Sequence, residues 1–270
     1  MKIGFIGDIV GKPGRKMVKS YLPRIIKEEE LDFVMANYEN VSHGFGLTHK
    51  NAIELFECGI NLMTGGNHTW DKKEIVPLLD SMALLRPVNY PEGVPGRGVE
   101  IVEIAGEKFA VINLMGHFTM PMVDNPFVTV LKEVERLEKD GIKNIFIDFH
   151  AESTSEKRTL LMMLRGRVSY IAGTHTHVGT DDLEIYKGTG YITDVGLTGC
   201  RDNVIGVDEK VPIERFLTGL PGRFDVPDKC KKIFQMVVLE LEDGICKDTY
   251  KIKAYDDEGY FVSQKALVSD

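Results

Sequence analysis

Eight polar side chains stand at or just beyond short apolar runs, and their types are those that bind metal ions and move protons. Asp8 follows residues 2–6, Glu39 and Asn40 follow residues 32–36, and Asn67 and His68 follow residues 61–64. His150 follows residues 145–149, and His175 and His177 follow residues 169–172. Imidazole, carboxylate and amide oxygen together suit a borderline first-row ion such as Mn, Fe or Zn, whereas calcium takes oxygen ligands alone. Seven candidate ligands, Asp8, Glu39, Asn40, Asn67, His150, His175 and His177, exceed a four-coordinate structural zinc site. They fit two ions sharing a bridging carboxylate, the clamp used for in-line displacement at phosphorus. Singly, each has a plainer reading: Asp8 as a turn residue, Glu39-Asn40 as a solvated pair, Asn67-His68 as a turn beside a satisfied histidine. In His175-Thr176-His177, alternation along an extended segment puts both imidazoles on one side. The inference is carried by the set, because all its members occupy the same place relative to their runs.

These residues span some 170 positions, so the fold has to gather them. Residues 2–6, 32–36 and 61–64 read as strands. A helix is expected from Pro13, and another from a Thr48 cap to Cys58, ended by Gly59. Strand alternating with helix argues for an α/β fold with a largely parallel sheet, whose ligand site lies beyond the carboxyl ends of the strands. Residues 99–105 and 108–114 read as a hairpin about Gly106-Glu107. Asn125-Pro126 opens an amphipathic helix with Phe127, Val130, Leu131, Val134 and Leu137 at helical spacing. Strand 144–149, helix 155–164 and strand 168–172 follow. The last third is strand-rich, at 183–186, 191–194, 233–241 and 245–254, with Asp243-Gly244 turning the final pair. The expectation is a single domain, residues 1–270, in which two sheets pack face to face with helices outside.

Composition limits the partners. Lys and Arg number 33 against 41 Asp and Glu, a formal charge of −8. That disfavours coating extended nucleic acid or an anionic membrane, both of which need a basic face. The pocket itself is another matter, since two divalent ions against Asp8 and Glu39 make it locally positive and able to hold one phosphate. Cys58, Cys200, Cys230 and Cys246 form no C-x-x-C pair, and four cysteines are too sparse for a disulfide framework. A reducing, cytoplasmic setting is expected. The apolar start is stopped by Asp8, too soon for a signal sequence, and no run approaches the length of a membrane span.

Gly7-Asp8, Gly66-Asn67-His68, His150 and the GTHTH block at 173–177 resemble the calcineurin-like metallophosphoesterases. Their blocks read GD-x-H, GD-x-x-D, GNH-[DE], H and GH-x-H. More closely, GFIGDIVGKPGR, NYEN, GGNHTWD, FHAE, GTHTHVGT, DVGLTG and RFLTGLPGRF resemble the YmdB-type family of bacterial phosphodiesterases, over nearly the whole chain. Val10 stands where the superfamily has His, and Glu39 where it has the bridging Asp. Both departures are those of the YmdB type, with Asn40 as the replacement ligand.

The resemblance implies a four-layer αββα sandwich. It implies that Asp8, Asn40 and His177 hold one metal, that Asn67, His150 and His175 hold a second, and that Glu39 bridges them. It makes His68 the proton donor to the leaving oxygen rather than a ligand. It further implies two iron or manganese ions, hydroxide attacking phosphorus in line, and small phosphodiesters as substrates, 2′,3′-cyclic nucleotides among them. A phosphomonoesterase on the same site and a non-catalytic metal- or nucleotide-binding regulator are the alternatives. An assembly of identical chains is compatible with all three.

Other residues read more plainly. Residues 7–12 miss the phosphate-loop spacing by one, and Pro13 stands where Ser or Thr must be. His43 and His49 belong to a Gly-rich loop region that either lines an entrance or is solvated. His117 is a nucleotide contact or an ordinary bonded histidine. Trp70 either stacks on a base or packs. Cys200, with no partner His in sequence, is structural, and Met162-Met163 are core.

Overall fold

The computed structural model describes every residue except Asp257 and Asp270. Chain order is β1 (Lys2–Ile6), α1 (Gly11–Glu28), β2 (Phe33–Asn37), α2 (His49–Glu57), β3 (Leu62–Thr64), a 3-10 segment (Lys73–Leu78), β4 (Val99–Ile104), β5 (Glu107–Met115), α3 (Pro126–Lys139) and β6 (Asn144–His150). It continues with α4 (Thr154–Leu164), β7 (Tyr170–Thr174), β8 (Glu184–Tyr186), β9 (Thr189–Ile192), β10 (Gly199–Cys200), α5 (Lys210–Thr218), β11 (Lys232–Glu242), β12 (Ile245–Tyr255), β13 (Tyr260–Lys265) and β14 (Leu267–Ser269).

Local chemistry sets the helix starts. The Thr48 hydroxyl accepts from the Asn51 N–H, and the Asn125 side chain accepts from those of Phe127 and Val128, satisfying donors that a first turn leaves unpaired. The first helix begins at Gly11 rather than Pro13.

Two sheets form. The first runs β13-β12-β11-β1-β2-β3, with β10 beside β11. The second runs β14-β8-β9-β7-β6-β5-β4. β1, β2 and β3 are mutually parallel, as are β5, β6, β7 and β9. Three apolar cores separate four layers. One lies between the sheets and holds Phe5, Met35, Phe109, Phe146 and Tyr170, with Phe5 and Phe146 edge to face at 4.9 Å. A second seals α1 and α2 onto the first sheet, through Val18, Leu22, Ala52 and Leu55. The third seals α3 and α4 onto the second sheet, through Val130, Val134, Leu160 and Leu164. This is the αββα sandwich. Alternation supplies it, since Ile3 and Phe5 face the other sheet while Ile6 faces the helices.

Five elements lie outside the expectation, the 3-10 segment and β10 among them. α5 buries only Pro212 and exposes Phe216 and Leu217. β13 extends the first sheet, and β14 crosses to the second, where it pairs in parallel with β8. The cysteines also differ. Cys200 is bonded to Cys230, thirty residues on, while Cys58 and Cys246 are free. Cys230 lies in the segment between α5 and β11, just before β11. The sparse-cysteine ground for a reducing compartment therefore loses its footing. Among the described residues no helix is long and apolar enough to cross a membrane.

Candidate metal centre

The parallel strands of both sheets deliver their C-terminal ends to one place. Asp8 lies just past β1, Glu39 and Asn40 past β2, and Asn67 and His68 in the turn past β3. His150 ends β6, and His175 and His177 follow β7. Beneath them a polar seam joins the sheets. Asp148 on β6 accepts from the Thr64 hydroxyl at 2.5 Å and from Asn37 at 3.2 Å, both on the other sheet. Asn113 on β5 exchanges bonds with Gly65.

Four heteroatoms converge around His150. Its Nε2 lies 3.0 Å from Asn67 Oδ1, 3.1 Å from His175 Nδ1 and 3.2 Å from Glu39 Oε2. Its other nitrogen, Nδ1, meets the Thr174 hydroxyl at 3.0 Å, and that hydroxyl donates to Asp148 at 2.7 Å. The hydroxyl therefore accepts from Nδ1–H, which leaves Nε2 as a lone pair. Lone pairs of nitrogen, amide oxygen and carboxylate aimed at one point repel unless a cation lies between them. Glu39, His150 and His175 offer ligand atoms all within 4.8 Å of one another.

A second group adjoins the first. His177 Nδ1 donates to the Ile205 carbonyl at 2.7 Å, so its Nε2 is also a lone pair, 3.2 Å from Asn40 Oδ1 and 3.9 Å from Asp8 Oδ1. Asn40 donates its amide to the Gly44 carbonyl, which turns its oxygen inward. Asp8 Oδ1 is buried with no hydrogen-bond partner among the described residues, an expensive state for a carboxylate oxygen. The donor set and this orphaned oxygen both fit metal ions. Glycine makes room for the set: a Cβ on Gly66 would collide with Glu39 Oε2 and the His150 ring.

The charges are strongly coupled. Burial raises the Asp8 carboxyl against the pull of His177 and His150. Burial also opposes ionisation of Glu39, but His150 and the His68 backbone N–H outweigh it and hold Glu39 below its ordinary value. The His150 ring, disfavoured by burial, is raised to about 9 by Glu39 and Asp8. Burial and His150 push His175 down to about 3. A divalent cation would reverse the direction for Asp8 and His150, holding that carboxylate ionised and that ring neutral.

A family model described as YmdB-like protein matches residues 5–252. The chain belongs to the YmdB-like family. It is 45% identical over 268 residues to a Bacillus subtilis protein named 2′,3′-cyclic-nucleotide 2′-phosphodiesterase, covering 97% of this chain and all of that one. Its fold is similar to a hypothetical protein from Thermus thermophilus, with TM-score 0.89 and 38% identity, covering 94% of this chain and 99% of that one. It is equally similar to a structure titled a novel phosphatase from Mycoplasma pneumoniae, with TM-score 0.89 and 36% identity, covering 96% of this chain and 94% of that one.

Within this YmdB-like site the geometry adds residues that sequence reasoning missed. Asp71 bonds His68 Nδ1 at 2.9 Å, and Glu152 meets His175 Nε2 at 3.2 Å. Both lie in blocks that carry the resemblance, GGNHTWD and FHAE, and that was the available signal. Thr174 and Asp194 likewise lie in blocks of the resemblance, GTHTHVGT and DVGLTG, whereas Asp148 and Lys157 lie in none and their partners are remote in sequence.

His175 and His177 do not share a side through extended alternation. Both have left-handed backbone, φ 99° and 65°, in a bend beyond β7. For non-glycine residues that conformation is strained and is held by the surroundings. The remaining candidates resolve plainly. His43 and His49 are exposed, and His117 bonds the Val123 and Asp124 carbonyls. Trp70 packs edge-on against Tyr90, and Met162 is partly exposed rather than core.

Proposed function

We propose that this protein is a two-metal phosphodiesterase acting on small phosphodiesters, with nucleoside 2′,3′-cyclic phosphates as its substrates. The observation that carries the reading is the convergence of lone pairs about His150 Nε2 beside the unpartnered Asp8 Oδ1. In this reading Asp8, Asn40 and His177 hold one ion, Asn67, His150 and His175 hold the other, and Glu39 lies between them. The ions are iron or manganese on the strength of the family resemblance, and the mixed nitrogen and oxygen donor set accommodates either. The name of the Bacillus subtilis relative supports the substrate class. The whole chain acts as one metallophosphoesterase domain, since β14 ties the last residues to the second sheet.

When bound, the ions neutralise the phosphoryl oxygens and make hydroxide available near neutral pH. The chain's own residues do the rest. Asp148 and Thr174 fix the His150 tautomer, and the Ile205 carbonyl fixes that of His177. Hydroxide bonds to phosphorus, the P–O2′ bond breaks, and its electron pair stays on O2′. His68, anchored at Nδ1 by Asp71 and 29% exposed, gives O2′ its proton from Nε2. The product is a nucleoside 3′-monophosphate.

The test joins metal analysis of the purified protein to turnover on a panel of cyclic, linear and monoester phosphates. Two bound ions and preference for cyclic diesters are expected. His68→Ala should keep its metal and lose roughly 10²–10⁴-fold in turnover, and loss of metal there would reject its role. Glu39→Gln should lose metal and activity together. A preference for monoesters would favour the second reading, a phosphatase on the same site, which the Mycoplasma pneumoniae title supports.

A further inference from the structure

Phe45 is an aromatic residue that the core does not account for. It is half-buried, it belongs to none of the three apolar cores or their fringes, and its aromatic partner is the His68 ring. The two centroids are 4.9 Å apart, edge to face. Phe45 sits in the loop between β2 and α2, flanked by Gly44 and Gly46 with left-handed φ of 89° and 70°. That loop is bonded directly to candidate ligands. Gly46 N–H donates to the Glu39 carbonyl, and the Asn40 amide donates to the Gly44 carbonyl at 2.9 Å. Ser42 N–H closes it on the Gly46 carbonyl at 2.9 Å. An aromatic ring is thus fixed to the backbone that carries Glu39 and Asn40, and set beside His68.

Substrate chemistry gives that ring a use. In a nucleoside 2′,3′-cyclic phosphate the 2′ oxygen is borne by C2′, and C2′ is bonded to C1′, which carries the base. A residue that protonates the departing 2′ oxygen therefore works two carbons from the glycosidic bond. The base must lie on the His68 side of the site. Trp70 is taken up by Tyr90 and the helix-side core of the first sheet. We propose that Phe45 is the platform for the nucleobase, and that it makes nucleoside cyclic phosphates better substrates than base-free ones. Every base has a π face, so the platform asks for a base without choosing strongly among bases. This inference rests on the function proposed above.

The experiment uses the metal-loaded protein and two substrates with the same scissile bond: adenosine 2′,3′-cyclic phosphate and 1-O-methylribose 2,3-cyclic phosphate, which lacks a base. Phe45→Ala should raise KM for the nucleotide by about tenfold to hundredfold, the range of base–aromatic stacking. It should leave kcat on both substrates, and KM for the base-free one, within about twofold. Inhibition by adenosine 3′-monophosphate should weaken in parallel, and Phe45→Trp should restore both. Equal losses on the two substrates would mean that Phe45 only packs His68, and would overturn the inference. So would an unchanged KM for the nucleotide. A wild-type protein that hydrolyses neither cyclic phosphate rejects the proposed function itself, a different result from a wild type that is active but indifferent to Phe45.

Discussion

At the scale of single residues, the site works by fixing which atom of each side chain faces inward. His68 depends on Asp71 for this. A carboxylate 2.9 Å from Nδ1 keeps a proton there and turns Nε2 outward to the substrate. Asp71→Asn should therefore slow turnover by about tenfold, part of the roughly 10²–10⁴ that general acid catalysis supplies. The loss should be confined to alkoxide leaving groups, which need a proton. Diesters with a p-nitrophenolate leaving group should be nearly unaffected at unchanged metal content. Equal losses on the two kinds of ester would mean that Asp71 merely holds the turn. The donor types of the site were legible in sequence because each lies at or just past a strand. The partners that orient them were not, because Asp148 reaches Thr64 across 84 residues and Thr174 across 26.

At the scale of elements, the bend carrying His175 and His177 is held from beneath. Lys157 on α4 donates to the Thr174 carbonyl at 2.8 Å and to Asp194 at 2.8 Å, and both charges are essentially fully buried. Asp194 also takes the Thr176 N–H and hydroxyl. Burial opposes its ionisation, but Lys157 and these donors hold its carboxyl below the ordinary value. The pair is the physical reason that two histidines can stay in left-handed backbone. Removing one partner strands a buried charge, so Lys157→Met should cost about 3–5 kcal/mol in urea or thermal unfolding. A cost near zero would show that the bend does not depend on the pair. The helices and most strands could be read from periodicity and caps. α5 and β14 could not: no side-chain cap marks the start of α5, and a three-residue strand leaves no periodic trace.

At the scale of the whole molecule, the interior is polar wherever the sheets meet the site. Lys251 on β12 is 1% exposed, and burial with neighbouring Lys253 lowers it to about 8 against the pull of nearby aspartates. An unfolded lysine keeps its proton to its ordinary value of 10.5. Between those values the unfolded chain binds more protons, so stability rises with pH through that window. From pH 8 to 9.5 the wild type should gain about 1–2 kcal/mol relative to Lys251→Met, measured by denaturant unfolding at each pH. A flat difference would mean that Lys251 is charged in the folded protein.

The sequence by itself determined the alternating strands and helices, the eight chemistry-bearing residues at or just past strand ends, and the family blocks that link them. Those are local properties: periodicity, caps, and residue type at a turn. Only the tertiary structure decided which nitrogen of each histidine is free and which carboxylates orient rather than bind. It also decided that Cys200 meets Cys230, and that Phe45 rather than Trp70 stands beside His68. Each of these depends on a neighbour brought close by sheet packing or by a loop folding back, and no spacing along the chain encodes that neighbour.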